Sequence, residues 1–251
     1  MEDYPKPVTK ESHAKISEYL DNSVYQIRGS EGKYGIGFFC SIKVHEKTIQ
    51  VLITNYQSLD ENYFKNNDGI EILINKEPLR IEFDSIFYID ESLDISVIQI
   101  KENKTIKILE LDDSNYKEES ERFLYKESIY IINNNSVSYG IIYNMKKSEM
   151  FLACNLNNIN TYPIFNLTTN KLLGIYQKKD KYYHKGLFFK YIIKQLEARY
   201  IKNCKNEIQI KIKVDEEDIG QNIYFLDNKY KENNIISNTY TIFNLKTNKL
   251  I

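Results

Sequence analysis

From Val24 onward the chain is a succession of short runs of β-branched and aromatic residues, each closed off by turn-forming residues. Early runs are Val24 to Ile27, Gly37 to Ile42, Thr48 to Thr54, Ile70 to Ile74 and Ile95 to Ile100. Later ones are Ser128 to Ile132, Val137 to Tyr143, Met150 to Cys154, Pro163 to Leu167 and Leu172 to Tyr176. Each run is too short for a helix, and its side chains suit a pleated surface. Strand-length runs recurring about every ten residues predict an all-β barrel or sandwich.

Two segments break that rhythm with helical spacing. Over Lys10 to Asp21, Ile16 and Leu20 lie four apart with Ala14 nearby, which predicts a short amphipathic helix. Over Phe188 to Tyr200, residues Phe189, Ile192, Ile193 and Leu196 share one helical face. After Cys204, Ile208, Ile210, Ile212 and Val214 alternate with Gln209, Lys211 and Lys213, the pattern of a half-buried strand. Two more runs, Ile223 to Leu226 and Tyr240 to Phe243, flank a turn-like Asn233-Asn234. The expected organisation is a helical segment over 1–23, a first β-barrel over 24–104 and a second β-barrel with a closing helix over 105–202. A small β appendage over 203–251 follows, with too few strands to bury much surface, as an incomplete domain would be.

Charge and cysteine usage narrow the function classes. The 34 Lys and Arg balance 35 Asp and Glu, so there is no basic excess for neutralising nucleic-acid phosphates. No apolar run approaches the ~20 residues that span a bilayer. The start, Met1 to Pro5, lacks the basic-then-apolar pattern of a signal peptide. Cys40, Cys154 and Cys204 show no CxxC spacing, so neither a zinc site nor a disulfide framework is expected. That usage suits a reducing compartment, and a cytoplasmic location is expected. No phosphate-binding glycine loop, HExxH or EF-hand spacing occurs, so the expectation is no cofactor and no metal. The richness in Ile, Asn, Lys and Tyr, against only four Arg (Arg28, Arg80, Arg122, Arg199), has the character of an AT-rich genome.

Several segments in order resemble the chymotrypsin/trypsin-like peptidase fold. Gly35 to Cys40 followed by Val51 to Leu59 is similar to its glycine-containing strand and the strand leading to the catalytic His. Leu93-Asp94-Ile95-Ser96-Val97-Ile98 resembles the Asp placed just before a buried strand. Cys154, then Thr161 to Asn166 and Lys171 to Tyr176, resembles the nucleophile turn and the strand containing Gly-Ile that follows it. Lys185 to Tyr191 is similar to the last strand and the entry to the closing helix. The nearest likeness is to intracellular trypsin-like domain proteins of AT-rich unicellular eukaryotes. The resemblance implies two six-stranded antiparallel barrels with a cleft between them.

It also implies triad positions, and these read Gln57, Asp94 and Asn160. An amide at 57 has no proton affinity near neutrality and cannot serve as general base. Asn160 offers no nucleophilic oxygen, and Asn158 and Thr161 replace the glycines of the oxyanion turn. None of His13, His45 and His184 falls at the base position, and Cys40 and Cys154 read as small core residues. The sequence therefore points to a non-enzyme: a catalytically inactive, protease-like scaffold or protein-binding module. Its expected partner is a protein or extended peptide, added in the inter-barrel cleft to the strand around Gly174, Ile175 and Tyr176. The competing expectations are an active peptidase with a non-standard triad and a structural subunit of a large assembly.

Overall fold

The computed structural model describes residues 5–29, 32, 34–44, 47–74, 76–112, 124–133, 136–156, 161–179, 184–198, 223–232, 235–244 and 249–250. The chain divides into two units, Met1–Glu197 and Ala198–Ile251.

The first unit opens with helix α1 (Lys10–Asn22), whose N-cap Thr9 accepts a hydrogen bond from the Ser12 backbone N–H. That cap satisfies one of the donors a helix start leaves unpaired. Seven strands then build the first sheet: β1 (Tyr25–Arg28), β2 (Tyr34–Val44), β3 (Lys47–Thr54), β4 (Gly69–Ile74), β5 (Glu77–Asp90), β6 (Ile95–Ile100) and β7 (Ile108–Leu109). A short helix, α2 (Glu61–Asn66), lies between β3 and β4. The sheet order is β1-β4-β5-β6-β3-β2-β7, with β1 also pairing to β2. Strand β7 joins parallel to β2, so this sheet is mixed.

Six further strands follow: β8 (Ser128–Asn133), β9 (Ser136–Lys146), β10 (Glu149–Cys154), β11 (Tyr162–Asn166), β12 (Leu172–Lys179) and β13 (His184–Phe188). They close into an antiparallel barrel in the order β10-β13-β12-β11-β8-β9. Residues 189–198 are helical.

The expected pair of six-stranded antiparallel barrels is corrected by this topology. Over 105–202 there is one such barrel, but the strands of 24–104 join β7, at Ile108–Leu109, in a seven-stranded mixed sheet with a parallel member. The trypsin-like assignment is overturned with it, since that fold was defined by the matched pair. Two readings built on the assignment fall as well: an inactive serine-protease homologue holding a peptide between two barrels, and an active peptidase with a non-standard triad.

Strand burial explains why so many runs are apolar without alternation. Phe38, Cys40, Ile42 and Val44 of β2 pack in a core shared with Tyr130 of β8, Phe165 of β11 and Leu187 of β13. Phe39, on the opposite face of β2, packs with Ile27, Leu52, Ile70 and Ile98 in a core belonging to the first sheet. Strand β3 divides the same way, with Val51 and Ile53 on the shared side and Leu52 on the other. A strand buried on both faces loses the period-2 signature. Helix α1 contributes Ile16 and Tyr19 to the shared core, and Tyr19 stacks on Phe165 at 5.2 Å. The helical stretch 189–198 contributes Phe189, Ile192 and Leu196.

The described residues of the second unit form a three-stranded antiparallel sheet of β14 (Ile223–Glu232), β15 (Ile235–Asn244) and β16 (Lys249–Leu250). The first two strands pair in unbroken register from Ile223↔Asn244 to Glu232↔Ile235. The strand expected over Ile208 to Val214 lies outside the described residues, as does Cys204. No helix among the described residues is long and apolar enough to cross a membrane.

Candidate functional site

Two polar regions of the first unit bear on a functional site. The first contains the positions singled out in the sequence. The turn after β3 carries Gln57, and the turn before β6 carries Asp94, which adopts a left-handed backbone at φ 48°. The two are in contact, with the Gln57 backbone N–H donating to Asp94 Oδ1 at 3.3 Å. The carboxylate is thus occupied by a main-chain amide. Nearby, the Ser58 hydroxyl donates to Asn55 Oδ1 at 2.5 Å, and Thr54 Oγ1 donates to the Ile36 carbonyl at 2.7 Å. Gln177 Nε2 donates to the Leu93 carbonyl at 2.9 Å, tying β12 to this turn. Asn160, like Asn158, Tyr182, Tyr183 and His45, lies outside the described residues.

Gly174, Ile175 and Tyr176 lie in β12, where both flanks are taken. They pair with Ile164, Pro163 and Tyr162 of β11 on one side and with Phe188, Leu187 and Gly186 of β13 on the other. Strand addition needs an edge with unpaired N–H and C=O groups, and β12 has none at these residues. The imidazole of His184 is buried, with Nδ1 3.0 Å from the Tyr176 hydroxyl. Burial pushes the Tyr176 phenol up to about 12. Burial likewise raises the Cys40 thiol, so it stays a neutral packing group. His13 is exposed on α1.

The second region was not marked out in the sequence. A cleft of about 630 Å³ lies over β1, β4, β5 and α2, and its polar lining includes Arg28, Asn62, Asn66, Asn67, Glu71 and Arg80. The register builds it. Arg28 of β1 stands opposite Glu71 of β4, and Glu71 stands opposite Arg80 of β5. Directly opposed residues project to the same face, so the three side chains form one charged row. Arg28 and Glu71 form an ion pair at 3.2 Å, and Arg80 pairs with Asp68. Gly69 leaves the space for this arrangement, since a Cβ there would lie 2.7 Å from Arg80 Nε.

Helix α2 supplies the other wall. Its N-cap Asp60 accepts from the Tyr63 backbone N–H at 2.8 Å, which fixes where the helix starts. Asn66 and Asn67 follow from its last turn, donating their amides to the Asn62 and Tyr63 carbonyls. Tyr63 turns inward, and its hydroxyl donates to the Gly69 carbonyl at 3.1 Å. Burial holds that phenol above the usual tyrosine range.

The described residues of the lining carry two guanidiniums and, in Glu71 and Asp60, two carboxylates, so the charges among them cancel. It contains hydrogen-bond donors and acceptors in quantity, but no Ser, Cys, His or Lys among the described residues that line it. Nor do the described residues anywhere bring together three His, Cys, Asp or Glu side chains able to hold a metal ion. The two carboxylates of the lining are engaged, Asp60 by the Tyr63 backbone N–H and Glu71 by Arg28, and such a wall can bind and orient a polar ligand. A signal for it was present in composition: Arg28 and Arg80 are two of only four arginines in a lysine-rich chain. Arginine is the residue suited to planar, multi-point hydrogen bonding.

No family model matches the chain, and no curated protein matches it.

Proposed function

We propose that this protein is a non-catalytic binding module that receives a segment of another polypeptide in the cleft over β1, β4, β5 and α2. The observation that carries this reading is the lining itself: over its described residues it is neutral in sum, dense in donors and acceptors, and without Ser, Cys, His or Lys. A peptide main chain presents alternating N–H and C=O groups, which Asn and Arg donors and Asn, Asp and Glu acceptors complement. Cancelled charge disfavours a polyanion such as nucleic acid, whose binding depends on an unbalanced positive face.

The non-catalytic part of the reading is supported by how the polar groups elsewhere are used. Asp94 holds a backbone amide, Ser58 is hydrogen-bonded to an asparagine, and His184 faces a buried tyrosine. None of these contacts is the hydroxyl–imidazole–carboxylate relay that acyl transfer needs.

Selection of a displayed random-peptide library on the folded full-length chain tests the proposal. Enriched peptides are expected to lose at least tenfold in affinity on an Arg28→Ala/Arg80→Ala variant, because several charge-assisted hydrogen bonds, each worth about 1.5–3 kcal/mol, originate there. Enriched peptides that bind this variant as tightly as the parent would place the binding surface elsewhere.

A further inference from the structure

The charged row in the cleft has an order, and the order predicts what its partner carries. Across β1, β4 and β5 it reads Arg28, Glu71, Arg80: positive, negative, positive. Tyr34 of β2 continues the row beyond Arg28, directly opposite it in register, and is 61% exposed. The side chains of Arg28 and Arg80 are 55% and 62% exposed, and that of Glu71 is 37% exposed. Tyr34 thus gives the row an exposed aromatic end. The described residues hold only three other exposed large hydrophobic side chains, Val8, Tyr125 and Tyr139.

We infer that the cleft selects an extended segment whose side chains on one face run acidic, basic, acidic, with an apolar or aromatic residue beyond one end to cover Tyr34. This rests on the polypeptide-binding reading and names the class of sequence that the same cleft takes.

The geometry suits such a segment. Neighbouring strands lie about 4.8 Å apart, which puts the backbones at Arg28 and Arg80 roughly 10 Å from each other. An extended peptide repeats its same-face side chains every ~6.8 Å, so positions i, i+2 and i+4 span about 14 Å. Arginine side chains are long enough to splay across that difference. Each guanidinium carries five N–H donors in a fixed fork. Arg28 spends NH1 on Glu71 and Arg80 spends NH2 on Asp68, which leaves most of both forks for an incoming carboxylate. The Glu71 carboxylate is the acceptor for the partner's central cation. The reverse order, basic, acidic, basic, would set like charges against each other at all three points.

The test is a titration of the full-length chain, followed by the backbone amide resonances of β1 and β4, with three peptides at low ionic strength. One carries Glu-Thr-Lys-Thr-Glu, the second Lys-Thr-Glu-Thr-Lys and the third Gln-Thr-Gln-Thr-Gln, each ending in Tyr. Exposed pairs contribute up to about fivefold each, so the first peptide is expected to bind at least fivefold tighter than the second. The advantage should shrink as salt is raised. In the variant Arg28→Glu/Glu71→Lys/Arg80→Glu the preference is expected to invert. All three positions are exposed or half-exposed, and an unchanged far-ultraviolet spectrum verifies the fold. Equal affinity of the three peptides for the parent chain, or a preference that survives charge inversion, overturns the inference and leaves polypeptide binding standing. Failure of all three to shift any cleft amide overturns both.

Discussion

The Tyr130 hydroxyl lies in the shared core with no hydrogen-bond partner among the described residues. Its ring stacks on Phe165 at 4.8 Å with an interplanar angle of 9°, so the aromatic body is well used while the polar tip is stranded. A buried hydroxyl without a partner carries a desolvation cost of about 1–3 kcal/mol. Tyr130→Phe keeps the stack and removes the stranded group, and is expected to raise unfolding stability by about 1 kcal/mol. A urea melt checks this, and a lowered midpoint would mean that the hydroxyl has a partner. Residue roles were legible in the sequence where apolar spacing marks a local element. The spacing of Ile16 and Leu20 over Lys10 to Asp21 announced helix α1, while its side-chain cap, Thr9, was not read from the sequence. The cleft residues were less legible because Arg28, Glu71 and Arg80 are far apart in sequence and become neighbours only through register.

At the scale of elements, β5 and α2 were missed for different physical reasons. Strand β5 alternates cleanly at Leu79, Ile81 and Phe83, but its register then shifts between Phe83 and Ser85 and again between Ile86 and Tyr88. Each bulge flips the side-chain alternation, so no single period runs along its fourteen residues. Helix α2 is short and polar, with Tyr63 as its only buried residue, and too little apolar face remains to reveal a period. The meeting of elements at Gly35 gives a sharper test. A Cβ on this β2 residue would collide with the Ser58 hydroxyl in the turn after β3. Gly35→Ala is expected to cost about 1–3 kcal/mol as an overpacking change. Combining it with Ser58→Gly should recover part of that loss, since the two closest atoms belong to the serine side chain and Asn55 Oδ1 lies next at 3.3 Å. Chemical denaturation of the two single variants and the double variant separates these outcomes, and strict additivity would count against the contact.

For the molecule as a whole, the sheet-rich character was visible in the rhythm of short apolar runs, and the closure of each sheet was not. Runs of β-branched residues report burial, and both a closed barrel and a sheet covered on two faces bury them equally. Closure depends on which strands pair. The parallel β7 consists of just Ile108–Leu109 and carries no sequence signature of its own. The shared core makes a further whole-molecule claim. Phe38 is fully buried and packs edge-to-face with Phe189 at 6.5 Å, while its neighbours in the same core come from both sheets. Phe38→Ala is expected to destabilise by about 3–5 kcal/mol. Because the core is common to both sheets, amides of β3 and of β11 should show the same shift in denaturation midpoint. A shift confined to the first sheet would mean that the two sheets unfold independently.

The central claim is that another polypeptide docks in the cleft over β1, β4, β5 and α2. Hydrogen–deuterium exchange of the full-length chain, with and without a peptide selected on it, tests that most directly. The expected result is added protection in Tyr25–Arg28, Glu61–Asn66 and Gly69–Ile74, with β12 unchanged. Protection appearing on the barrel strands instead, with none over these segments, would contradict the account.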